Sequence, residues 1–169
     1  MKKVDLDVLA REDAFGLIGK EWMLVTAGNK DKLNTMTASW GGIGWLWNKP
    51  VAFVFIRPER HTHEFIEREA RLTLSFYDES HRAKLQLCGK TSGRDTDKIK
   101  EAGLEPVELE SGAMTFAQSR LTLDCRKLFK VPMAEADFID KSLLSQWYGS
   151  QPGGSLHDVY IVEIESLYS

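Results

Sequence analysis

The chain has 169 residues, of which 43% are hydrophobic and 28% charged, so it has enough apolar residues for a folded core and too few charges for a disordered segment. Its formal net charge of −3 gives no overall basic field, which argues against nucleic-acid binding. No stretch approaches the roughly 20 apolar residues that cross a bilayer, and Asp5 and Asp7 interrupt any signal-peptide core. We expect a single cytoplasmic domain over residues 1–169, with residues 1–10 as a lead-in.

Short apolar and β-branched runs separated by turn signals predict strands along the whole chain. The first two strands flank a polar turn signal at residues 28–31, which indicates a β-hairpin. Gly41, Gly42 and Gly44 then predict a break in regular structure. The predicted strands cover residues 22–27, 34–39, 51–57, 72–76, 114–131 (as one strand or two) and 159–164.

Four segments between these strands predict short helices. Thr62 is predicted to cap a helix over residues 63–70, and Asp95 to cap one that ends at Gly103. The other predicted helices cover residues 79–88 and 135–147, and residues 151–155 predict a loop. Because most strand connections are too short for parallel crossovers, the predicted fold class is mostly β: a closed or nearly closed, largely antiparallel barrel with flanking helices.

The sequence contains few signals for metal binding or for nucleophilic catalysis. Cys88 and Cys125 form no CxxC pair, so we expect reduced and buried thiols, although a disulfide between them stays open. His61 and His63 stand two residues apart, with no carboxylate or cysteine at a ligand spacing, so no metal is predicted. The absence of GxSxG disfavours an α/β-hydrolase.

The strand predicted at residues 34–40 has two chemically different faces, because alternate side chains point to opposite sides. One face carries an amide and three apolar groups, from Asn34, Met36, Ala38 and Trp40. The other face carries three hydroxyls, from Thr35, Thr37 and Ser39. These hydroxyls suit the phosphate or polyol oxygens of a ligand. An ordinary edge strand with solvated hydroxyls is the alternative, and this segment alone favours it.

Two further segments are suited to binding an anion. Arg57 and Arg60 straddle Pro58 just before the predicted helix, where two guanidinium groups, the Thr62 hydroxyl and free backbone N–H groups would bind a phosphate. Solvated loop charges are an equal alternative. Residues 89–98 form a glycine-containing loop with positive charges from Lys90, Arg94 and Lys98, but the Walker A pattern is absent.

Taken together and in this order, these segments resemble the flavin reductase-like, FMN-binding split-barrel proteins, and among them the flavoredoxin branch. The resemblance covers roughly residues 10–168. The matching motifs are Asn-Thr-Met-Thr-Ala-Ser-Trp-Gly at 34–41, Arg-Pro-Glu-Arg-His-Thr at 57–62, Gly-Lys-Thr-Ser-Gly-Arg-Asp-Thr-Asp-Lys at 89–98 and His-Asp-Val-Tyr-Ile-Val-Glu at 157–163. Val162 departs from the family, in which many members have glycine in the last strand.

The resemblance implies non-covalent FMN and a homodimer with the flavin near its interface. It assigns Asn34, Thr37, Ser39 and Trp40, with the adjacent Thr35, Met36 and Ala38, to the flavin and its ribityl chain. It assigns Arg57, Arg60 and Thr62, with the adjacent His61, to the phosphate. Ser92, Arg94 and Lys98 would complete the pocket, and His157 and Tyr168 are looser matches.

Three functions follow from these observations. The first is an oxidoreductase that moves electrons from NAD(P)H through FMN to free flavin or another acceptor, with the chemistry on the flavin and no catalytic side chain. The second is a flavoredoxin-type electron carrier that a protein partner reduces. The third is a non-catalytic binding module that uses the apolar stretch at residues 40–47 as a contact surface.

Overall fold

The computed structural model describes residues 1–149 and 155–169. Within them, eight strands form one sheet in the order β3-β2-β6-β9-β10-β5-β4, with β1 paired to β10, and β7 and β8 form a separate pair. Every pairing is antiparallel. The strands are β1 Lys3–Val4, β2 Met23–Gly28, β3 Leu33–Ala38, β4 Gly41–Leu46, β5 Lys49–Ile56, β6 Arg71–Phe76, β7 Pro106–Glu108, β8 Met114–Phe116, β9 Leu121–Pro132 and β10 Asp158–Tyr168.

Five short helices lie around the sheet, and none of the described helices is long and apolar enough to cross a membrane. Short 3-10 turns occur at Leu6–Arg11, Glu79–His81 and Glu135–Asp137, and a π-helical turn at Leu17–Glu21 follows the first helix. The helices are α1 Ala14–Gly16, α2 His61–Arg68, α3 Arg82–Lys90, α4 Lys98–Glu101 and α5 Ser142–Trp147.

The two edges of the sheet are forced together at one end. β3 and β4 are the two edge strands, yet only Ser39 and Trp40 connect them. Two linking residues span at most about 11 Å between the strand ends, so the sheet must roll up until its edges meet there. Within the described residues β3 and β4 are not paired, so the barrel is split rather than closed.

Apolar side chains fill the barrel and also cover part of its outer surface. Met23, Val25 and Ala27 of β2 point into the main core, whereas Leu24 on the other face of β2 packs in a second cluster with Leu85 of α3. β2 is thus buried on both faces, which explains why its sequence is a continuous apolar run. Cys88 and Cys125 are buried and free, as predicted.

The predicted hairpin and each predicted strand are confirmed, but the expected break at Gly41, Gly42 and Gly44 is wrong. These glycines form β4, which pairs with β5 from Gly41–Val54 to Leu46–Lys49. A β-carbon on Gly42 or Gly44 would lie 3.4 or 3.6 Å from the ring of Phe53. The aromatic ring therefore covers the bare glycine backbone and takes the place of their missing side chains.

Two predicted helix caps are also wrong. α2 begins two residues earlier than expected, after Arg60, so Thr62 lies inside its first turn and is fully buried. Asp97, not Asp95, caps α4 and accepts from the Lys100 N–H. The predicted helix at 135–147 is a 3-10 turn followed by α5, and residues 151–154 of the predicted loop lie outside the described residues.

Gly28 tests how strictly the β2–β3 hairpin depends on glycine. Its φ is +115°, and a β-carbon there would lie 2.3 Å from the Lys32 carbonyl oxygen. We expect Gly28→Ala to lower the free energy of unfolding by about 2 kcal/mol or more, because the cost of an alanine at this positive φ adds to the cost of the collision of its β-carbon with the backbone. Urea unfolding measures this. Gly19→Ala is the control, since no atom lies within 4 Å of its added carbon, and equal losses in both variants would contradict the argument.

Candidate functional site

A cavity of about 160 Å³ lies where the chain passes from β3 to β4. Most of the residues predicted from the first two motifs meet there, and one end is aromatic while the other is basic. The lining residues are Met36, Thr37, Ala38, Ser39, Trp40, Phe55, Arg57, Arg60 and His157. The Thr37 hydroxyl also donates to the Leu85 carbonyl of α3 at 2.5 Å, which ties β3 to that helix.

A second cavity of about 210 Å³ adjoins the first, because Arg60 lines both. It lies between the start of α2 and the loop that follows α3. Its lining residues are Glu59, Arg60, His61, Thr62, Gly89, Lys90, Thr91, Ser92, Arg94 and Lys98. The structure thus brings the arginine motif and the glycine-containing loop to one place, as the resemblance implied.

Asn34 links β3 to the start of α2. Its Nδ2 donates to the Thr62 hydroxyl at 2.8 Å, and both side chains are buried. A β-carbon on Gly93 would lie 2.2 Å from the Asn34 Oδ1. The loop therefore approaches β3 this closely only because residue 93 is glycine.

Two cations of the second cavity, the half-buried Arg60 and the buried Lys98, pair with backbone carbonyls. Arg60 donates to the Gly89 carbonyl at 3.1 Å. Lys98 is 3% exposed and donates to the carbonyls of Cys88 and Thr91, both at 3.1 Å. Burial lowers the pKa of Lys98 to about 8, so most of the ammonium stays charged at pH 7. Carbonyl dipoles hold these side chains without cancelling their charge.

One ring nitrogen in this cavity lacks a hydrogen bond. The Nδ1 of His61 is buried and finds no partner among the described residues, although the Glu64 carboxylate lies 3.4 Å away. Buried polar atoms are nearly always paired in native proteins. His61 lines the same cavity as Arg60 and Lys98, so this unpaired nitrogen is suited to contact a ligand there.

A segment between β9 and β10, residues 133–149, folds over the aromatic end of the first cavity; we call it the arm. Trp147 meets Trp40 with ring centroids 5.3 Å apart and planes at 85°, which is a favourable edge-to-face contact. Arg57 donates to the Trp147 carbonyl at 2.9 Å and lies 5.0 Å from the ring centroid of Tyr148. The arm thus adds two aromatic side chains to a site otherwise formed by the barrel.

His157 lies where the barrel and the arm meet. Its Nδ1 is 2.8 Å from the Tyr148 hydroxyl, and its ring centroid is 5.5 Å from that of Trp40. Burial, reinforced by the positive charge of Arg57, lowers the pKa of His157 to about 4. The imidazole is therefore neutral at pH 7.

Two predicted site residues lie elsewhere. Thr35 bonds the Thr26 hydroxyl at 2.9 Å in the cross-strand pair of β2 and β3, so it is a buried structural hydroxyl. Tyr168 pairs with Lys3 at the far end of β10, about 36 Å along the strand from His157 at the usual rise per residue. Within one chain, neither residue belongs to this site.

Sequence reasoning missed Phe55 and the arm residues Trp147 and Tyr148. Alternation could have found Phe55, because it precedes Arg57 by two residues and shares its strand face. No sequence signal marks the arm residues, since Trp147 lies 90 positions after the Arg57 that binds its carbonyl.

The fold and the site define a class of protein. The sequence matches the flavin reductase like domain family over residues 15–168, so the chain belongs to this family. None of the curated proteins compared with the chain matches it.

Solved structures of this class share the fold. A flavoredoxin from Methanosarcina acetivorans is 22% identical, with a TM-score of 0.67 over 88% of this chain and 68% of that one. An FMN-binding protein from Thermus thermophilus with bound p-hydroxybenzaldehyde is 17% identical, with a TM-score of 0.67 over 100% and 82%. Nitrilotriacetate monooxygenase component B from Bacillus cereus is 15% identical, with a TM-score of 0.67 over 99% and 81%. The fold class predicted from sequence, a largely antiparallel split barrel, is confirmed.

The lowered pKa of His157 predicts a specific dependence of stability on pH. The histidine gains a proton near pH 6.5 in the unfolded chain but only near pH 4 in the folded protein. Between these values the unfolded chain binds more protons, so stability falls as the pH falls. When the pH is lowered across this window, we expect the free energy of unfolding of His157→Gln to fall by about 1–3 kcal/mol less than that of the wild type. Urea unfolding at a series of pH values measures both. Parallel stability curves for the two proteins would show that His157 is not buried as described.

Proposed function

We propose that this chain is an FMN-binding oxidoreductase that takes electrons from NAD(P)H and passes them through the flavin to free flavin or another acceptor. One observation carries the proposal: two cavities that share Arg60 place a basic region, which includes the buried Lys98, beside an aromatic and hydroxyl-lined region. Membership of the flavin reductase like domain family agrees with it.

The residues present fit the parts of FMN. Its phosphate carries about −1.5 to −2 charges near neutral pH, by analogy with a phosphorylated side chain. Arg60 and Lys98 would offset that charge, and the His61 ring nitrogen is available as a further contact. Each cavity alone is smaller than the ~300 Å³ at which ligand pockets usually begin. The two adjoining cavities together would hold one elongated ligand.

The chain's own residues bind and orient the group, and the flavin supplies the redox chemistry. Arg60 lines both cavities and would keep the phosphate side and the aromatic side in a set relation, while Arg57 lines the first cavity beside it. Trp40 would cover part of an apolar ring, and Ser39 would bond polar atoms along it. No side chain is needed as a proton donor or acceptor for hydride transfer.

The proposal includes a homodimer in the cytoplasm. Phe15 is 90% exposed and Trp45 is 69% exposed, which is unusual for large apolar side chains on a free surface. β4 also presents an open strand edge beside them. Burying this face against a second copy would shield both features. Free buried thiols at Cys88 and Cys125 suit a reducing compartment.

A second candidate is an electron carrier that a redox protein reduces. Flavoredoxins from Methanosarcina acetivorans and Desulfovibrio vulgaris are among the similar structures, the second at 20% identity and a TM-score of 0.66. Such a carrier would use the same FMN site. The two candidates therefore differ only in the electron donor.

The first test is a visible absorption spectrum of the purified protein after incubation with FMN and desalting. We expect a retained flavin spectrum. NADH and NADPH are then each added under anaerobic conditions, and the loss of flavin absorbance is recorded over time. Fast bleaching supports the oxidoreductase. A retained flavin that neither nucleotide reduces would favour the carrier, and a colourless protein would favour a module that binds no flavin.

The paired arginines give a mutational test of the phosphate end. We expect Arg57→Ala combined with Arg60→Ala to weaken FMN binding by more than about 2 kcal/mol, because each charge-assisted hydrogen bond contributes roughly 1.5–3 kcal/mol. Fluorescence titration with FMN measures this change. Arg68→Ala is the matched control, since Arg68 is exposed in the last turn of α2. Equal affinities of the double variant and the control would exclude a phosphate clamp at Arg57 and Arg60.

A further inference from the structure

We propose that Tyr148 of the arm is a positioning residue that holds His157 as the tautomer with its hydrogen on Nε2, so that His157 donates this N–H to an acceptor atom of the bound flavin. The identity of the ligand rests on the proposed function. The choice of tautomer rests on contacts within this chain alone.

The direction of the hydrogen bond follows from the acceptors around the Tyr148 hydroxyl. The hydroxyl lies 2.8 Å from the His157 Nδ1 and 3.8 Å from the sulfur of Met133. A phenol has one proton to donate, and an imidazole nitrogen is a much better acceptor than a thioether. In the proposed arrangement the hydroxyl therefore donates to Nδ1 rather than to the Met133 sulfur, and the neutral ring carries its own hydrogen on Nε2.

The surroundings of His157 keep its imidazole ring uncharged and place the ring in the wall of the first cavity. His157 is 8% exposed and lines the first cavity together with Trp40 and Arg57. Burial lowers its pKa to about 4, and Arg57 acts in the same direction while Glu59 opposes it. Among residues 1–149 and 155–169 the His157 ring is bonded through Nδ1 and not through Nε2, so Nε2 is free to contact a ligand in the cavity that the ring lines.

Tyr148 is held from several sides. The guanidinium of Arg57 lies over its ring, and the ring of Phe138 packs against it with centroids 5.9 Å apart. The Met133 N–H also donates to the His157 carbonyl at 2.9 Å, which fixes the base of the arm beside the histidine. These contacts involve the ring and the backbone, so removing only the hydroxyl leaves them in place.

The test is nitrogen-15 NMR of the histidine side chains at pH 7 in the full chain, with His157→Gln used to assign the His157 signals. We expect the Nε2–H tautomer in the wild type, loss of that preference in Tyr148→Phe, and no change in Met133→Leu. Adding FMN should shift the Nε2 resonance of the wild type. Tyr148→Phe should bind FMN about two- to tenfold more weakly, as expected for one neutral hydrogen bond, and Met133→Leu should stay within about twofold.

The outcomes separate this inference from the proposed function. An Nδ1–H tautomer in the wild type, or an unchanged tautomer in Tyr148→Phe, would overturn the role of Tyr148 even if FMN binds. Bound FMN that leaves the Nε2 resonance unmoved would overturn the donation to flavin. If the wild type binds no FMN, the proposed function and the donation to flavin both fail, whereas the tautomer in the ligand-free protein still decides whether Tyr148 positions His157.

Discussion

The two-residue link between β3 and β4 is the constraint on which the site depends. It joins the opposite edges of the sheet, so the barrel has to bend until those edges meet at Ser39 and Trp40. The edges are not paired with each other in the described residues, and the first cavity lies at this point. The site is thus a direct consequence of how the sheet is connected.

Electrostatics distinguishes the site from the rest of an acidic protein. On the outer surface, Arg71, Arg120 and Arg126 bind carboxylates, and their charges are largely cancelled. At the site, Arg94 also binds a carboxylate, that of Glu64, and Arg57 lies 3.8 Å from that of Glu59. Arg60 and Lys98 bond carbonyl oxygens instead. A carbonyl orients a cation but carries no net charge, so positive charge remains for an anion although the chain as a whole is at −3.

The sequence predicted those parts of the fold and site that depend on local pattern. Apolar and β-branched runs bounded by turn signals predicted the hairpin and the buried strand β5, and the arginine motif with the following loop predicted the basic end. The structure differs from expectation where distant residues meet. Gly41–Leu46 pairs with β5 under the ring of Phe53, and Asn34 bonds the hydroxyl that was expected to cap α2. The Thr35 hydroxyl bonds Thr26 instead of facing the cavity. Tyr168 was assigned by resemblance alone, and the length of β10 separates it from the site.

The arm shows why the aromatic end could not be inferred in the same way. Its residues contact the barrel through Arg57, Trp40 and His157, and the first two lie about a hundred positions earlier in the chain. Arg57 lines the first cavity and also bonds the Trp147 carbonyl, so the guanidinium that the barrel places at the site is the one that holds the arm. The two halves of the site therefore meet at this side chain, although strand β5 leads to one and the arm supplies the other.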